Sequence, residues 1–347
     1  MKKPIPLLLV LVLGLVAAVI AQGNKPAIDY SAPLNASFTA EEVTIPAKGY
    51  TLAGTLLLPK SAKRPLPVVI TITGSGQQTR DEPVPFPNLE KYRPMRQIAE
   101  ALATRGIAVL RVDDRGVGGS GGRDTLMTAT TSSFADDVRA EVAYLRTRSE
   151  IDSKRIALVG HSEGGIIAPM VAASDPQIAA IVSMAGDGKR GDLISMDQVS
   201  EGLDRVPGIT PEIKSQKLAE EREVIHAVQT GGDLSKYPPE ARLPWVKEFW
   251  TYDPLTTIRK VRQPILILQG ALDQQIRAEQ AGMLEQAARE AGNKDVTKQV
   301  FPNLNHLFLP AKTGSFSEYS TLATSVIGDD VLKVMGDWLV VKLKAKP

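Results

Sequence analysis

The chain of 347 residues contains no cysteine and only three histidines. Without cysteine there is no disulfide, no thiolate-held metal and no lipid-bearing N-terminal cysteine, so stability must come from the packed core. Three histidines without an H-E-x-x-H pattern are too few for a histidine-rich metal centre. No metal or other cofactor is expected. Neither sign of charge is in excess: Lys and Arg number 41, Asp and Glu 39, and setting aside Lys2 and Lys3 leaves 39 against 39. With no basic stripe or acidic tail, nothing points to nucleic acid or to a polybasic membrane patch. The glycine cluster Gly116 to Gly122 lacks the G-x-x-x-x-G-K-[ST] pattern and does not follow the first parallel strand, so it does not read as a phosphate or dinucleotide cradle.

The long apolar run of the chain is Leu7 to Ala21, which follows Lys2 and Lys3 and ends in Val19-Ile20-Ala21 before Gln22. That arrangement predicts a signal peptide over 1–21 and an exported protein, periplasmic or secreted, with no stable membrane partner after cleavage. The alternative is an uncleaved anchor, which usually needs about 20 apolar residues. Residues 22–40, rich in Asn, Ala, Pro and Ser up to Phe38, read as a linker.

Beyond the linker the hydrophobic pattern alternates between strand and helix. Glu42 to Pro46 and Tyr50 to Pro59 predict two antiparallel strands joined at Lys48-Gly49. Leu66 to Thr73 and Ile107 to Val112 are continuous apolar runs suited to strands buried on both faces. Between them a helix is expected from Leu89 to Arg105, stopped by Gly106, and another is expected to start at Ser133 with Asp136. Further strands are expected at Ile156, Ile178, Pro264 and Thr297. The alternation predicts an α/β fold with a doubly wound, mostly parallel sheet. It stops over residues 187–257, a polar, proline-interrupted helical stretch. We read that stretch as a cap inserted between the core segments 41–186 and 258–347.

The informative stretch is Gly160-His161-Ser162-Glu163-Gly164, a G-x-S-x-G pattern with a short apolar run before it and a helical segment after it. A serine held at the tip of so sharp a turn has backbone pressed against it on both sides, which demands Gly160 and Gly164 and strains Ser162 itself. The pattern therefore implies a nucleophilic Ser162. Of the histidines, His161 points away from the nucleophile and His226 lies in a charged helical stretch. His306, in a loop after the last strand, is the expected base. The acid should fall between Ser162 and His306 in sequence, just past a strand. Asp273 meets both demands, with Asp187 the alternative. Backbone N–H groups of Glu163 and of Ser75, or its neighbour Gly76, are the expected oxyanion donors.

Thr73-Gly74-Ser75-Gly76 with Arg80-Asp81-Glu82, Asp113-Asp114-Arg115-Gly116-Val117-Gly118 with Ser120, the Ser162 pentapeptide, Asp273 and Asn305-His306-Leu307-Phe308 together resemble the bacterial exported α/β-hydrolase esterases. The dienelactone-hydrolase-like and serine-aminopeptidase-like groups are the most similar. The resemblance runs from about Glu41 to the C-terminal helix and implies an α/β-hydrolase fold, no cofactor and hydrolysis of a small-molecule carboxylic ester as the default activity. Thr73-Gly74 stands where many such proteins carry His-Gly. The cap aromatics Trp245, Phe249 and Trp250 are expected either to line an apolar pocket or to glue the cap to the core. An amidase or aminopeptidase is the alternative activity, with Glu201, Glu248 or Asp253 available to hold a substrate amine. A binding protein on this fold is disfavoured because Ser162, Asp273 and His306 are all present.

Overall fold

The computed structural model describes residues 28–346. The leader expected over 1–21 and the first residues of the linker lie outside the described residues. Eight strands form one sheet: β1 (Phe38–Pro46), β2 (Thr51–Pro59), β3 (Leu66–Ile72), β4 (Ala108–Val112), β5 (Ile151–His161), β6 (Ala180–Met184), β7 (Ile265–Gly270) and β8 (Val296–Phe301). Their spatial order is β1-β2-β4-β3-β5-β6-β7-β8. β1, β2 and β4 pair antiparallel, and every other neighbouring pair is parallel. The order reverses around β3 and β5, which opens a crevice at the carboxyl ends of the central strands.

The continuous apolar runs do what their composition requires. Along β3, β5 and β7 alternate residues enter opposite layers. Val68, Ile70, Ile156, Leu158, Ile265 and Ile267 face one layer, and Val69, Ala157, Val159, Leu266 and Leu268 face the other. The first layer is covered by α2 (Thr131–Thr147), α3 (Gly164–Ser174) and α8 (Glu279–Glu290), the second by α1 (Pro94–Ala103) and α9 (Asp329–Leu343). Helices on both faces explain why these strands are apolar throughout rather than at every second position.

Several boundaries differ from the sequence reading, each for a local reason. β1 begins at Phe38, inside the expected linker, because Phe38 pairs with Pro59 and is buried in the second layer. The segment before it is also fastened: Arg96 donates to the carbonyls of Asp29 and Ser31 at 2.8 and 3.0 Å. The first helix starts at Pro94 rather than Leu89, with Pro in the first turn. The residue before a proline is disfavoured in helical geometry, so Arg93 stays outside. For α2 the N-cap is Thr130, closing a reciprocal capping box with Ser133.

Between β6 and β7 the chain forms the cap from α4 (Gly191–Asp204), α5 (Pro211–Thr230) and α6 (Pro244–Thr251), with a small core of its own around Val224, Val228, Val246 and Trp250. The short α7 (Pro254–Ile258) already belongs to the main body, since Ile258 lies in the first layer.

One cap residue makes the fold sensitive to pH. Glu221 on α5 is buried with Oε1 unpartnered among the described residues, and burial pushes its carboxyl from 4.5 up to about 7. A carboxyl whose folded pKa is raised binds its proton more tightly in the native state, so stability falls as pH climbs from 4.5 through 7. Glu221→Gln should leave thermal stability unchanged near pH 4 and raise it at pH 8, by on the order of 2 kcal/mol, in melting curves taken at both pH values.

Candidate active site

β5 runs directly into α3 through Ser162, whose φ is +53°, a left-handed value that a non-glycine residue adopts only under constraint. The constraint is visible in the glycines on either side. A Cβ on Gly160 would stand 1.9 Å from the Gly164 carbonyl oxygen, and one on Gly164 would stand 2.3 Å from that of Ile72. Ser162 N–H donates to the Met184 carbonyl at 2.8 Å, which ties the turn to the end of β6.

The residues expected to act with Ser162 are brought together. His306 Nε2 lies 3.2 Å from Ser162 Oγ, and His306 Nδ1 lies 2.8 Å from Asp273 Oδ2. Asp273, just past β7, is buried and fully occupied: Oδ2 also accepts from Gln269 at 2.9 Å, and Oδ1 accepts the N–H groups of Gln275 and Ile276 at 2.8 and 2.9 Å. This many donors fix the direction of the carboxyl group. The loop carrying His306 is shaped by Asn305, whose Oδ1 accepts from Leu307 and Leu309 at 3.0 and 3.1 Å. Among the described residues, neither Ser75 N–H nor Glu163 N–H donates to a protein acceptor. The N–H of Gly74 is taken by Glu82 Oε1 at 2.7 Å.

Ser162 opens into a cleft of about 230 Å³ between the strand ends and the cap. Its apolar wall is only partly the one expected. Phe249 lines it, stacked on Trp245 with ring centroids 5.1 Å apart. Trp245 stands behind, its indole N–H donating to the Glu163 carboxylate at 2.7 Å. Trp250 does not line the cleft: it is buried in the cap core and donates to Ser195 Oγ at 2.9 Å. The missed wall residues are Phe86, Phe316 and Tyr319, three rings in mutual contact at 5.3 to 5.5 Å. Phe86 comes from an irregular segment, and Phe316 and Tyr319 from one face of a short 3-10 turn, too brief for a hydrophobic period to mark it.

The sequence and the fold have counterparts in known proteins. The family described as serine aminopeptidase, S33 matches residues 89–311, more than half of the chain. The chain belongs to this family. Serine aminopeptidase S33 proteins are α/β-hydrolases, and the eight-stranded sheet agrees with that class. Two uncharacterized proteins of Mycobacterium tuberculosis are 36% identical over 91 residues, 26% of this chain. The match spans only 31% of the length of these curated relatives. The esterase Pf2001 of Pyrococcus furiosus superposes with a TM-score of 0.56 at 19% identity, over 92% of this chain and 99% of its own. Est1E of Butyrivibrio proteoclasticus, solved with ferulic acid, gives 0.55 at 18%, over 86% of this chain and 96% of its own. The acylaminoacyl peptidase of Pyrococcus horikoshii gives 0.51 at 17%, over 78% of this chain but 38% of its own. At such identities the likeness is one of fold.

The remaining carboxyls of the S33 cleft differ in their freedom. Glu163 is buried, accepting from Thr131 Oγ1 at 2.5 Å besides Trp245, and burial nonetheless pushes its carboxyl up. Of the carboxyls expected to hold an amine, Glu201 is paired with Arg277 at 2.6 Å, Glu248 accepts from Ser132 N–H at 2.9 Å, and Asp253 caps α7 through Leu255 N–H at 2.9 Å. Asp187 is different. It lines the cleft, buried, with no hydrogen-bond partner among the described residues. Burial, reinforced by Glu163 and Asp273, holds its carboxyl well above the usual range.

The glycine contacts give a direct check. Gly160→Ala should abolish hydrolysis while a stable sheet persists or fail to fold, because 1.9 Å is far inside van der Waals contact. Circular dichroism beside an activity assay separates the two, and an active, stable alanine variant would contradict the tight turn.

Proposed function

We propose that this α/β-hydrolase cleaves carboxylic esters of small or medium acyl groups through Ser162, His306 and Asp273. The observation that carries the reading is the single line Asp273 Oδ2, His306 Nδ1, His306 Nε2, Ser162 Oγ, at 2.8 and 3.2 Å, opening on a cleft beside two unpartnered backbone N–H groups. His306 Nε2 takes the Ser162 proton as Oγ attacks the ester carbonyl. Asp273 keeps the proton on Nδ1 and stabilises the imidazolium. The oxyanion of the tetrahedral intermediate accepts from Ser75 and Glu163 N–H, donors worth about 10²–10³ each in rate. His306 then protonates the departing alcohol, and water delivered through the same base hydrolyses the acyl-enzyme. A cleft of about 230 Å³ with Phe86, Phe249 and Phe316 on its walls favours compact, largely apolar acyl groups. No cofactor takes part in these steps.

We also propose that the protein is exported, on the strength of Lys2, Lys3 and the apolar run ending at Ala21. N-terminal sequencing of the mature protein should begin at Gln22, and an intact Met1 on the purified membrane fraction would favour the anchor instead.

A second reading is favoured by one observation, the unpartnered Asp187. A substrate carrying a protonated amine would give that carboxyl a partner and ionise it, as an aminopeptidase or amino-ester hydrolase requires.

The deciding assay is hydrolysis of p-nitrophenyl esters of graded acyl length beside alanine p-nitroanilide. Ser162→Ala should lower kcat by about 10⁴-fold or more on every substrate cleaved. Asp187→Asn should spare the simple esters. Loss confined to the amine substrate would select the second reading, and equal ester rates in wild type and Ser162→Ala would sink both.

A further inference from the structure

His161 stands beside the nucleophile in sequence and takes no part in the proposed chemistry, yet it is buried to 5% exposure among groups of the site. Its two ring nitrogens each meet an oxygen. Nδ1 lies 2.8 Å from Glu82 Oε1, and Nε2 lies 2.9 Å from the backbone carbonyl of His306. A carbonyl oxygen can only accept, so Nε2 carries a proton. Glu82 Oε1 already accepts Gly74 N–H at 2.7 Å, and as a carboxylate oxygen it accepts from Nδ1 as well. With Glu82 ionised, both ring nitrogens of His161 carry protons and the pair is an imidazolium against a carboxylate. Both partners are enclosed, Glu82 at 4% exposure.

The pair lies between two loops and the end of a strand. Glu82 and Gly74 belong to the oxyanion loop after β3, His161 ends β5, and the His306 carbonyl belongs to the loop that carries the base. The ring of His161 is 4.9 Å from that of His306, centroid to centroid. Glu82 adopts φ +55°, a left-handed value for a non-glycine residue, so the loop bends at a cost to bring its carboxylate here.

We propose that His161 and Glu82 form a charged clamp that holds the oxyanion loop and the base loop in register, making both of them positioning residues for the hydrolysis proposed above. If His161 were neutral, one contact would set a bare lone pair against an oxygen, and one of the two loops would lose its tie. The titratable groups facing the ring are Glu82 from the oxyanion loop, Asp273 from the loop after β7 and His306 itself. Burial opposes the charge on His161, but Glu82, through its charge and hydrogen bond, outweighs burial with help from the His306 carbonyl and Asp273, so the ring stays protonated above 6.5. The clamp is therefore fully present below pH 6.5 and is lost as pH rises through the raised value.

The role rests on the reading of Ser162 and His306, but the charge state can be tested without any activity. Nitrogen-15 NMR of the histidine-labelled protein resolves only three rings, and exposed His226 serves as an internal reference. At pH 6 both ring nitrogens of His161 should carry protons. One bare nitrogen on His161 in the wild type would overturn the clamp, whatever any variant does. Glu82→Gln keeps an acceptor for Gly74 but removes the charge. It should leave one ring proton on His161, lower kcat about 10–100-fold with KM changed far less, and move the alkaline limb of the pH profile to lower pH. A variant that folds with wild-type kcat and an unmoved limb would refute the positioning role. If the variant does not fold, His161→Gln carries the kinetic arm with the same expected and refuting results for kcat. A failed Ser162→Ala control would sink the hydrolytic reading while leaving the NMR result standing.

Discussion

Gly160 and Gly164 meet backbone to backbone, and most of what the cleft can do follows from that contact. With no Cβ at either position, β5 can turn into α3 within the span of one exposed serine. That turn puts Ser162 Oγ at the mouth of the crevice and leaves the next N–H free. Every other group of the site is positioned relative to this turn. Met184 ties it to β6, His306 reaches it from beyond β8, and the loop after β3 packs close against it, a Cβ on Gly74 coming within 3.1 Å of Ser162 Cβ. A turn that stores strain in this way persists only inside a rigid frame. The frame is supplied by the two apolar layers that grip the sheet from both sides.

What was legible in the sequence was whatever has a period or a fixed local pattern. The continuous apolar runs of β3, β5 and β7 marked buried parallel strands because helices cover both faces. The serine, aspartate and histidine were each recognisable from a short motif just past a strand, and chain order arranged them. Groups whose role depends on distant loops left no such trace. Phe316 and Tyr319 share only a single 3-10 turn, and Phe86 comes from a distant segment, yet the three rings meet in space. The aromatics of α6 did have helical spacing, but spacing could not say which way each ring points. Phe249 faces the cleft, Trp245 turns to Glu163, and Trp250 is consumed by the cap. The same limit applies to Phe38. It looked like the end of a polar linker until its partner across the strand pair, Pro59, was known.

The carboxyl groups around the cleft divide by the company they keep. Asp273 has four donors. Glu163 has neutral donors and is pushed toward protonation by its burial. Asp187 has none, and Glu201 is committed to an arginine. The three that line the cleft, Glu163, Asp187 and Glu201, thus present different faces to a substrate, and the difference is set by neighbours that sequence adjacency does not reveal.

The hydrogen bond from Trp245 to Glu163 has a consequence for how this enzyme could change. The cap is the segment through which an enzyme of this kind acquires a new pocket, since it can be exchanged without touching the strands. Here, however, one indole N–H of the cap satisfies a buried carboxyl on the residue adjoining the nucleophile. A borrowed cap without a donor at that point would leave Thr131 as the remaining partner of a buried acid next to Ser162. Because Phe249 also stacks on Trp245, a change of pocket wall at the cap reaches back through that tryptophan to the residue beside the nucleophile.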